Sequence, residues 1–140
     1  MLDLAIVIVN YNVCDLLRNC LKSVYASTDI SFEVCVVDNA SPDDSADMVA
    51  REFPQAKLIR NAENMGYAAA NNLGLKYFGF GEQGLGIRDQ GSGIADHSVP
   101  RYAVLLNPDT VVPPDAFTQM IALMDQNPAF GISGPKLVRL

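Results

Sequence analysis

The chain has 140 residues, of which 49% are hydrophobic, so one domain with a substantial apolar core is expected. Its 10 basic and 16 acidic side chains give a formal net charge of -6, which disfavours a surface that binds the nucleic-acid backbone. A phosphorylated ligand would need a metal ion, a helix N-terminus or backbone amides to balance its charge.

The cysteines and the single histidine disfavour several kinds of site. Cys14, Cys20 and Cys35 have no CxxC spacing and lie in apolar sequence, which predicts reduced core residues. His97 alone cannot form a His-rich metal site, and it makes a His-dependent catalytic triad improbable. The chain has no run of about 20 apolar residues, and its N-terminus lacks the basic residues of a signal peptide. These features predict a cytoplasmic protein that meets a membrane only peripherally.

Strands and helices are predicted to alternate along the chain. Apolar runs predict strands at 4–9, 32–37, 57–60 and 102–106, with a short fifth strand around 130–133. Helical spacing predicts helices at about 16–25, 45–53, 67–77 and 115–125. Asn12 or Asp15 is available to cap the first helix, and Asp43 or Asp44 the second. Alternation implies right-handed crossovers and an α/β fold in three layers, a mostly parallel sheet with helices on both faces.

Residues 79–100 interrupt this alternation. They hold six of the chain's ten glycines, with Ser, Asp and Gln between them. This composition predicts a flexible insertion between the third helix and the fourth strand.

Polar residues follow the predicted strands at the edge where open parallel sheets bind ligands. They are Asn10, Tyr11, Asn12, Asp38, Asn39, Asn107 and Asp109. No glycine precedes Gly66, so the first strand lacks the Gly-x-Gly-x-x-Gly turn of NAD and FAD enzymes. The phosphate-binding loop of P-loop nucleotidases is absent as well.

Two acids at this edge have two interpretations each. Asp109 directly follows a buried strand and Pro108 restricts the backbone beside it, so its carboxylate could hold Mg²⁺ or Mn²⁺. Asn, Pro and Asp are also turn formers, and the tetrapeptide from Asn107 to Thr110 taken alone is more often a simple turn. Asp38 could accept a hydrogen bond from a nucleobase or a ribose, or it could stabilise a turn or a helix cap.

In their order along the chain, four motifs resemble the family 2 glycosyltransferases of GT-A fold, especially the rhamnosyltransferase-like branch. The motifs are Ala5–Asn12, Val36–Ser41, Asn64–Gly74 and Leu105–Thr110. Together they extend over nearly the whole chain. Four motifs in the right order are far more specific than any one of them.

The resemblance implies a set of nucleotide-sugar-binding residues. The loop from Asn10 to Asn12 and Asp38 would hold a uracil or thymine base, and Asn64 and Gly66 would line the nucleotide cleft. Either Asn71 or Asn72 would face that cleft too. The family's Asp-x-Asp metal motif falls on Asn107-Pro108-Asp109, which makes Asp109 the ligand of Mg²⁺ or Mn²⁺. The full set is Asn10, Tyr11, Asn12, Asp38, Asn39, Asn64, Gly66, Asn71, Asn72, Asn107 and Asp109.

The resemblance also implies an activity, the inverting transfer of a sugar from a UDP- or dTDP-sugar. The acceptor would be a saccharide or lipid-linked hydroxyl in polysaccharide, cell-wall or glycolipid synthesis. Family members continue for about as long again, and that part supplies the acceptor site and the general base. Residues 1–140 are therefore expected to be the donor- and metal-binding part of one glycosyltransferase domain, inactive alone. The alternatives are a non-catalytic nucleotide-binding or interaction module and a sugar-phosphate nucleotidyltransferase.

Overall fold

The computed structural model describes residues 2–81 and 99–135, and these form a four-stranded sheet with four helices. The elements are β1 (Leu4–Asn10), α1 (Cys14–Tyr25), β2 (Phe32–Asp38), α2 (Ser45–Glu52), β3 (Lys57–Arg60), α3 (Tyr67–Tyr77), β4 (Tyr102–Leu106) and α4 (Ala116–Gln126). No helix within the two described ranges has the length and apolar character needed to cross a bilayer. Most of the insertion predicted at 79–100 lies outside the described residues.

The sheet has the strand order β3-β2-β1-β4, and every neighbouring pair is parallel. Strand β1 lies in the interior of the sheet and is buried along its whole length, which is why its sequence shows no polar alternation. In the register, Asn10 lies opposite Asp38 and Ile8 opposite Leu106. The ends of β1, β2 and β4 therefore meet at one edge, and the predicted parallel α/β fold is confirmed.

Alternate residues of β1 face two separate cores. Leu4, Ile6 and Ile8 pack with buried residues of α1, α2 and α4 on one face of the sheet. Ala5 and Val7 pack with α3 on the other face. Helices on both faces of the sheet give the three layers that the sequence predicts.

Helix α3 lies unusually close to the sheet at Gly74. A Cβ atom added to Gly74 would lie 2.4 Å from Cγ1 and 3.0 Å from Cγ2 of Val7. Val7 is fully buried in β1 and cannot turn away without disturbing its neighbours. Gly74 therefore sets the distance between α3 and the sheet.

The predicted strand around 130–133 is wrong. This segment is irregular in the structure, and Ile132 is 89% exposed. An isolated extended segment needs a neighbouring strand to satisfy its backbone groups, and none of the described strands pairs with it. Gly131 and Gly134 add a further entropic cost to an ordered strand.

The predicted cap of α1 is also wrong. Asn12 and Asp15 make no capping hydrogen bond to this helix, and Asp15 pairs with Arg18 instead. The backbone N–H of Cys14 donates to Oδ2 of Asp43 at 3.0 Å, and the N–H of Ser45 donates to Oδ1 at 3.0 Å. Asp43 thus joins the N-termini of α1 and α2. Burial raises the pKa of Asp43, but these hydrogen bonds outweigh burial and leave the pKa below its usual value.

All three cysteines are free, in agreement with the predicted reduced state. Cys20 and Cys35 are fully buried, and burial raises the pKa of each thiol to about 12. Because the thiolate is the reactive form, we expect a thiol reagent at pH 8 to modify at most Cys14 in the native chain. All three should react in guanidinium chloride. Rapid modification of more than one thiol without denaturant would contradict the buried placement.

Candidate functional site

The site lies at the carboxyl edge of the sheet, where the loops after β1, β2 and β4 lie side by side. Asn10 and Asp38 end their strands as register partners, and both side chains are buried. Tyr11 is half-exposed just beyond Asn10. The parallel register therefore brings together residues that are about 30 to 100 positions apart in the sequence.

Ser41 joins the loops that follow β1 and β2. Its hydroxyl donates to Oδ1 of Asp38 at 2.6 Å, and it accepts from the backbone N–H of Asn12 at 2.9 Å. It also accepts from Nδ2 of Asn10 at 3.2 Å. The hydroxyl therefore uses its donor and both of its acceptor positions, which leaves it no capacity for a ligand.

The structure assigns Asp38 a turn role and still leaves it an open position. Oδ1 accepts from Asn10 at 3.0 Å and from the Ser41 hydroxyl, and Oδ2 accepts from the Ser41 backbone N–H at 3.0 Å. A carboxylate offers about four acceptor positions, so one remains on Oδ2. Beside it, Oδ1 of Asn10 is buried and has no partner among the described residues. Two acceptor positions without a partner among the described residues thus belong to neighbouring, buried side chains.

Ser41→Ala should destabilise the fold and loosen the loop after β1. The variant loses three side-chain hydrogen bonds, one of them to a carboxylate, and we expect the free energy of unfolding to fall by about 2 kcal/mol. Urea denaturation of both proteins measures the difference. Ser27→Ala is the matched control, because the buried hydroxyl of Ser27 has no hydrogen-bond partner in the described structure. Equal losses in the two variants would contradict the role of Ser41.

A second set of hydrogen bonds connects the end of β2 to the turn before α3. Nδ2 of Asn39 donates to the carbonyl of Gly66 at 3.2 Å, and Nδ2 of Asn61 donates to Oδ1 of Asn39 at 2.8 Å. Oδ1 of Asn64 accepts from the Gly66 N–H at 3.0 Å. Gly66 has a φ of 83°, a conformation that favours glycine, and it directly precedes α3. Asn39, Asn64 and Gly66 thus lie on one connected rim.

Tyr67 extends this rim to the loop after β4. Its hydroxyl lies 3.4 Å from Oδ1 of Asn107, and its side chain is 53% exposed. Asn71 is one helical turn further along α3, is buried, and donates to the Tyr67 carbonyl at 3.0 Å. Asn72 is exposed on another side of the helix. Of the two asparagines, Asn71 is therefore the one on the side of the helix that carries Tyr67.

Asn107 to Thr110 forms a turn, and this turn also presents an unpaired carboxylate. The Thr110 N–H donates to the Asn107 carbonyl at 3.2 Å, which closes the β-turn that the residue types favour. Asp109 is exposed and makes no hydrogen bond or ion pair with any other described residue. The turn interpretation and the metal interpretation of this segment are thus compatible.

Asp109 fits a metal ion that is held mainly by a phosphorylated ligand. No group of three or more His, Cys, Asp or Glu side chains within residues 2–81 and 99–135 could hold an ion by itself. Mg²⁺ is commonly bound through one or two carboxylates plus substrate phosphates and water, and a single free carboxylate meets that requirement. The four described arginines all pair with carboxylates: Arg18, Arg51, Arg60 and Arg101.

The rim includes three residues that the sequence did not single out as site residues. Ser41 lies within a recognised motif, but its role depends on contacts with the loop after β1. Asn61 follows β3 and supports Asn39, and Tyr67 opens α3 beside Asn107. A polar residue at the end of each strand is the signal that would have identified Asn61.

The sheet and its polar rim define an α/β domain with a row of polar residues at the carboxyl ends of parallel strands. The sequence model described as "Glycosyl transferase family 2" matches residues 5–79, which is more than half of the chain. The chain therefore belongs to glycosyl transferase family 2.

Similar proteins include both curated transferases and solved structures. The N-acetylglucosaminyl-diphospho-decaprenol L-rhamnosyltransferase of Mycobacterium tuberculosis is 23% identical over 132 residues, which cover 94% of this chain and 40% of the relative. The uncharacterized glycosyltransferase YibD of Escherichia coli is 29% identical over 76 residues, which cover 52% of this chain and 22% of the relative. The chain thus spans less than half the length of these relatives.

The fold is shared with a solved structure that contains a nucleotide sugar. The structure of S. aureus TarS 1-349 in complex with UDP-GlcNAc matches with a TM-score of 0.68 at 17% identity, over 96% of this chain and 37% of that one. At this identity the likeness concerns the fold, and it confirms the GT-A fold that the motifs predict.

Proposed function

We propose that this chain binds a UDP- or dTDP-sugar together with Mg²⁺ or Mn²⁺, as the donor-binding part of an inverting glycosyltransferase. The observation that carries the proposal is the Asp109 carboxylate, which has no partner among the described residues, on the same edge as the buried acceptor oxygens of Asn10 and Asp38. One edge thus offers acceptor atoms for a base and a carboxylate for a metal.

The base would lie against the loops after β1 and β2. Uracil and thymine carry an imide N–H, a donor that matches the remaining acceptor position on Oδ2 of Asp38. Cytosine has an unprotonated ring nitrogen at the same place. Oδ1 of Asn10 is a further acceptor, but it is enclosed and would be reached only if the loop after β1 moved. Tyr11 and Asn12, both exposed, flank this position. The proposed donor therefore contains uridine or thymidine.

The diphosphate would lie between the turn that precedes α3 and the β-turn from Asn107 to Thr110. Asn64, Gly66 and Asn71 shape the first of these, and Asn107 and Asp109 belong to the second. A metal bound there would neutralise the charge that develops on the leaving diphosphate. The protein would contribute one ligand to this metal, the carboxylate of Asp109. The four described arginines pair with carboxylates, so a metal would supply positive charge that they do not offer.

The acceptor side of the reaction would lie elsewhere in a longer transferase. The M. tuberculosis relative is named for transfer to a diphospho-decaprenol-linked sugar, and this chain covers 40% of it. We extend to this chain a saccharide or lipid-linked acceptor, with peripheral contact to a membrane. Neither Asp38 nor Asp109 is free to act as general base in this scheme, because one holds a turn and the other would hold the metal.

Calorimetric titration of the 140-residue chain with UDP, dTDP and CDP, with and without Mn²⁺, tests the proposal. We expect UDP and dTDP to bind about tenfold more tightly with Mn²⁺ than without it, and CDP to bind about tenfold more weakly than UDP. Equal affinity for UDP and CDP would contradict the base site. Equal affinity with and without Mn²⁺ would contradict the metal site. A non-catalytic module would show the same binding, and only a longer chain with donor and acceptor can separate the two.

A further inference from the structure

The end of α1 is hydrogen-bonded to the backbone on both sides of Asp109. The thiol of Cys20 donates to the Asn107 carbonyl with an S···O distance of 3.7 Å. The hydroxyl of Ser23 accepts from the Val112 backbone N–H at 3.0 Å. These contacts lie two residues before and three residues after Asp109, whose own side chain has no partner among residues 2–81 and 99–135.

The segment that follows is attached to the same part of the protein. The Thr28 N–H donates to the Pro114 carbonyl at 3.0 Å, and the Thr118 hydroxyl donates to the Thr28 carbonyl at 2.8 Å. Val112 is only 7% exposed and packs in the core between the sheet and α1. The loop between β4 and α4 is therefore anchored to α1 and to the residues just after it.

Ser23 has a hydrogen-bonding arrangement suited to this task. Its hydroxyl donates to the Cys20 carbonyl one turn earlier in the helix, at 2.7 Å. This bond fixes the orientation of the hydroxyl and leaves an oxygen lone pair for the Val112 N–H. Alanine can make neither contact, whereas threonine can make both.

We propose that Ser23, supported by Cys20, is a positioning residue that holds the Asp109 turn where its carboxylate can reach a donor-bound metal. This inference rests on the metal role proposed for Asp109. Mg²⁺ demands near-ideal octahedral geometry, so a small displacement of its one protein carboxylate weakens the bond. A turn fixed at both ends keeps that carboxylate in one place before the ligand arrives.

The test compares three variants of the 140-residue chain, Ser23→Ala, Ser23→Thr and Ser27→Ala. The measured quantity is the ratio of UDP affinity with Mn²⁺ to UDP affinity without it. We expect Ser23→Ala to lower this ratio about fivefold while metal-free UDP affinity changes less than about twofold. Ser23→Thr should restore the ratio. Ser27→Ala should leave it at the wild-type value, because it removes from the same region a buried hydroxyl that bonds to no other described residue.

Amide hydrogen exchange separates this inference from the proposed function. Ser23→Ala should speed exchange at 107–112 and leave the amides of β1 and β2 unchanged. Unchanged exchange at 107–112 would overturn the positioning role whatever the ligand is. If the ratio of UDP affinity with Mn²⁺ to UDP affinity without it falls equally in Ser23→Ala and Ser27→Ala, the positioning role is overturned as well. If Mn²⁺ does not change the UDP affinity of the wild-type chain, the metal function and the metal-positioning role are both refuted. Faster exchange in Ser23→Ala would in that case still confirm that Ser23 anchors the loop.

Discussion

Gly74→Ala is expected to lower the free energy of unfolding by about 2 kcal/mol, although alanine is the better helix former by about 1 kcal/mol. The new Cβ would lie 2.4 Å from Cγ1 of Val7, which is impossible without movement. Val7 is β-branched and fully buried, so it has no free rotamer to escape into. Either α3 must move away from the sheet or β1 must shift, and both loosen the core around Ala70.

A double-mutant cycle with Val7→Ala provides the decisive measurement. Val7→Ala alone should cost about 2 kcal/mol, because it leaves a cavity. In the double variant the new methyl group of residue 74 occupies part of that cavity, so the combined loss should be smaller than the sum. Urea denaturation of the four proteins gives the coupling energy. Strict additivity would mean that α3 does not approach β1 as closely as the structure shows.

The inner strands β1 and β2 were predictable because they are buried on both faces. Runs such as Leu4–Asn10 and Phe32–Asp38 are mainly apolar, and a parallel sheet under helices accounts for several such runs separated by helical segments. The prediction of a buried strand at 102–106 is wrong in its burial, because β4 lies at the sheet edge and Leu105 is 47% exposed. The segment around Ile132 contains apolar residues too, but whether it forms a strand depends on a pairing partner. Local sequence does not specify that partner.

The helix caps show a second limit of local reasoning. Asn12 and Asp15 lie on either side of the first residue of α1. The side chain that binds the helix N-terminus is nevertheless Asp43, which is 29 positions after Cys14. The contact exists because β1 and β2 pair in parallel and bring both loops to the same edge. A sequence window shows only neighbours along the chain, so it identifies residues able to cap and misses those brought in by the sheet.

That polar strand-end residues lie together was predictable, but the hydrogen bonds among them were not. Asn10, Asp38, Asn39, Gly66 and Asn107 do meet on one hydrogen-bonded rim. The residues that tie this rim together act across loops, so their polar side chains look ordinary in sequence. They are Ser41, Asn61 and Tyr67. The ligand roles of the whole set remain predictions, and the binding experiments decide them.

Asp109→Ala is expected to abolish the gain in UDP affinity that Mn²⁺ provides, a loss of about tenfold or more. The carboxylate has no hydrogen bond or ion pair within the described structure, so its removal should leave the free energy of unfolding nearly unchanged. UDP affinity without metal should also stay close to the wild-type value. Calorimetry with and without Mn²⁺, beside urea denaturation, measures all three quantities.

Asp115→Ala is the matched control for Asp109→Ala, because it removes an acid of the same loop at the start of α4. If Asp109 acts as a ligand and not merely as one negative charge near a cation, only Asp109→Ala should lose the metal effect. Asp109→Asn should behave like the alanine variant, since a neutral amide oxygen is a much weaker ligand for Mg²⁺ or Mn²⁺. A similar loss in Asp115→Ala would instead indicate a diffuse electrostatic attraction, and the metal would then have no defined place on this turn.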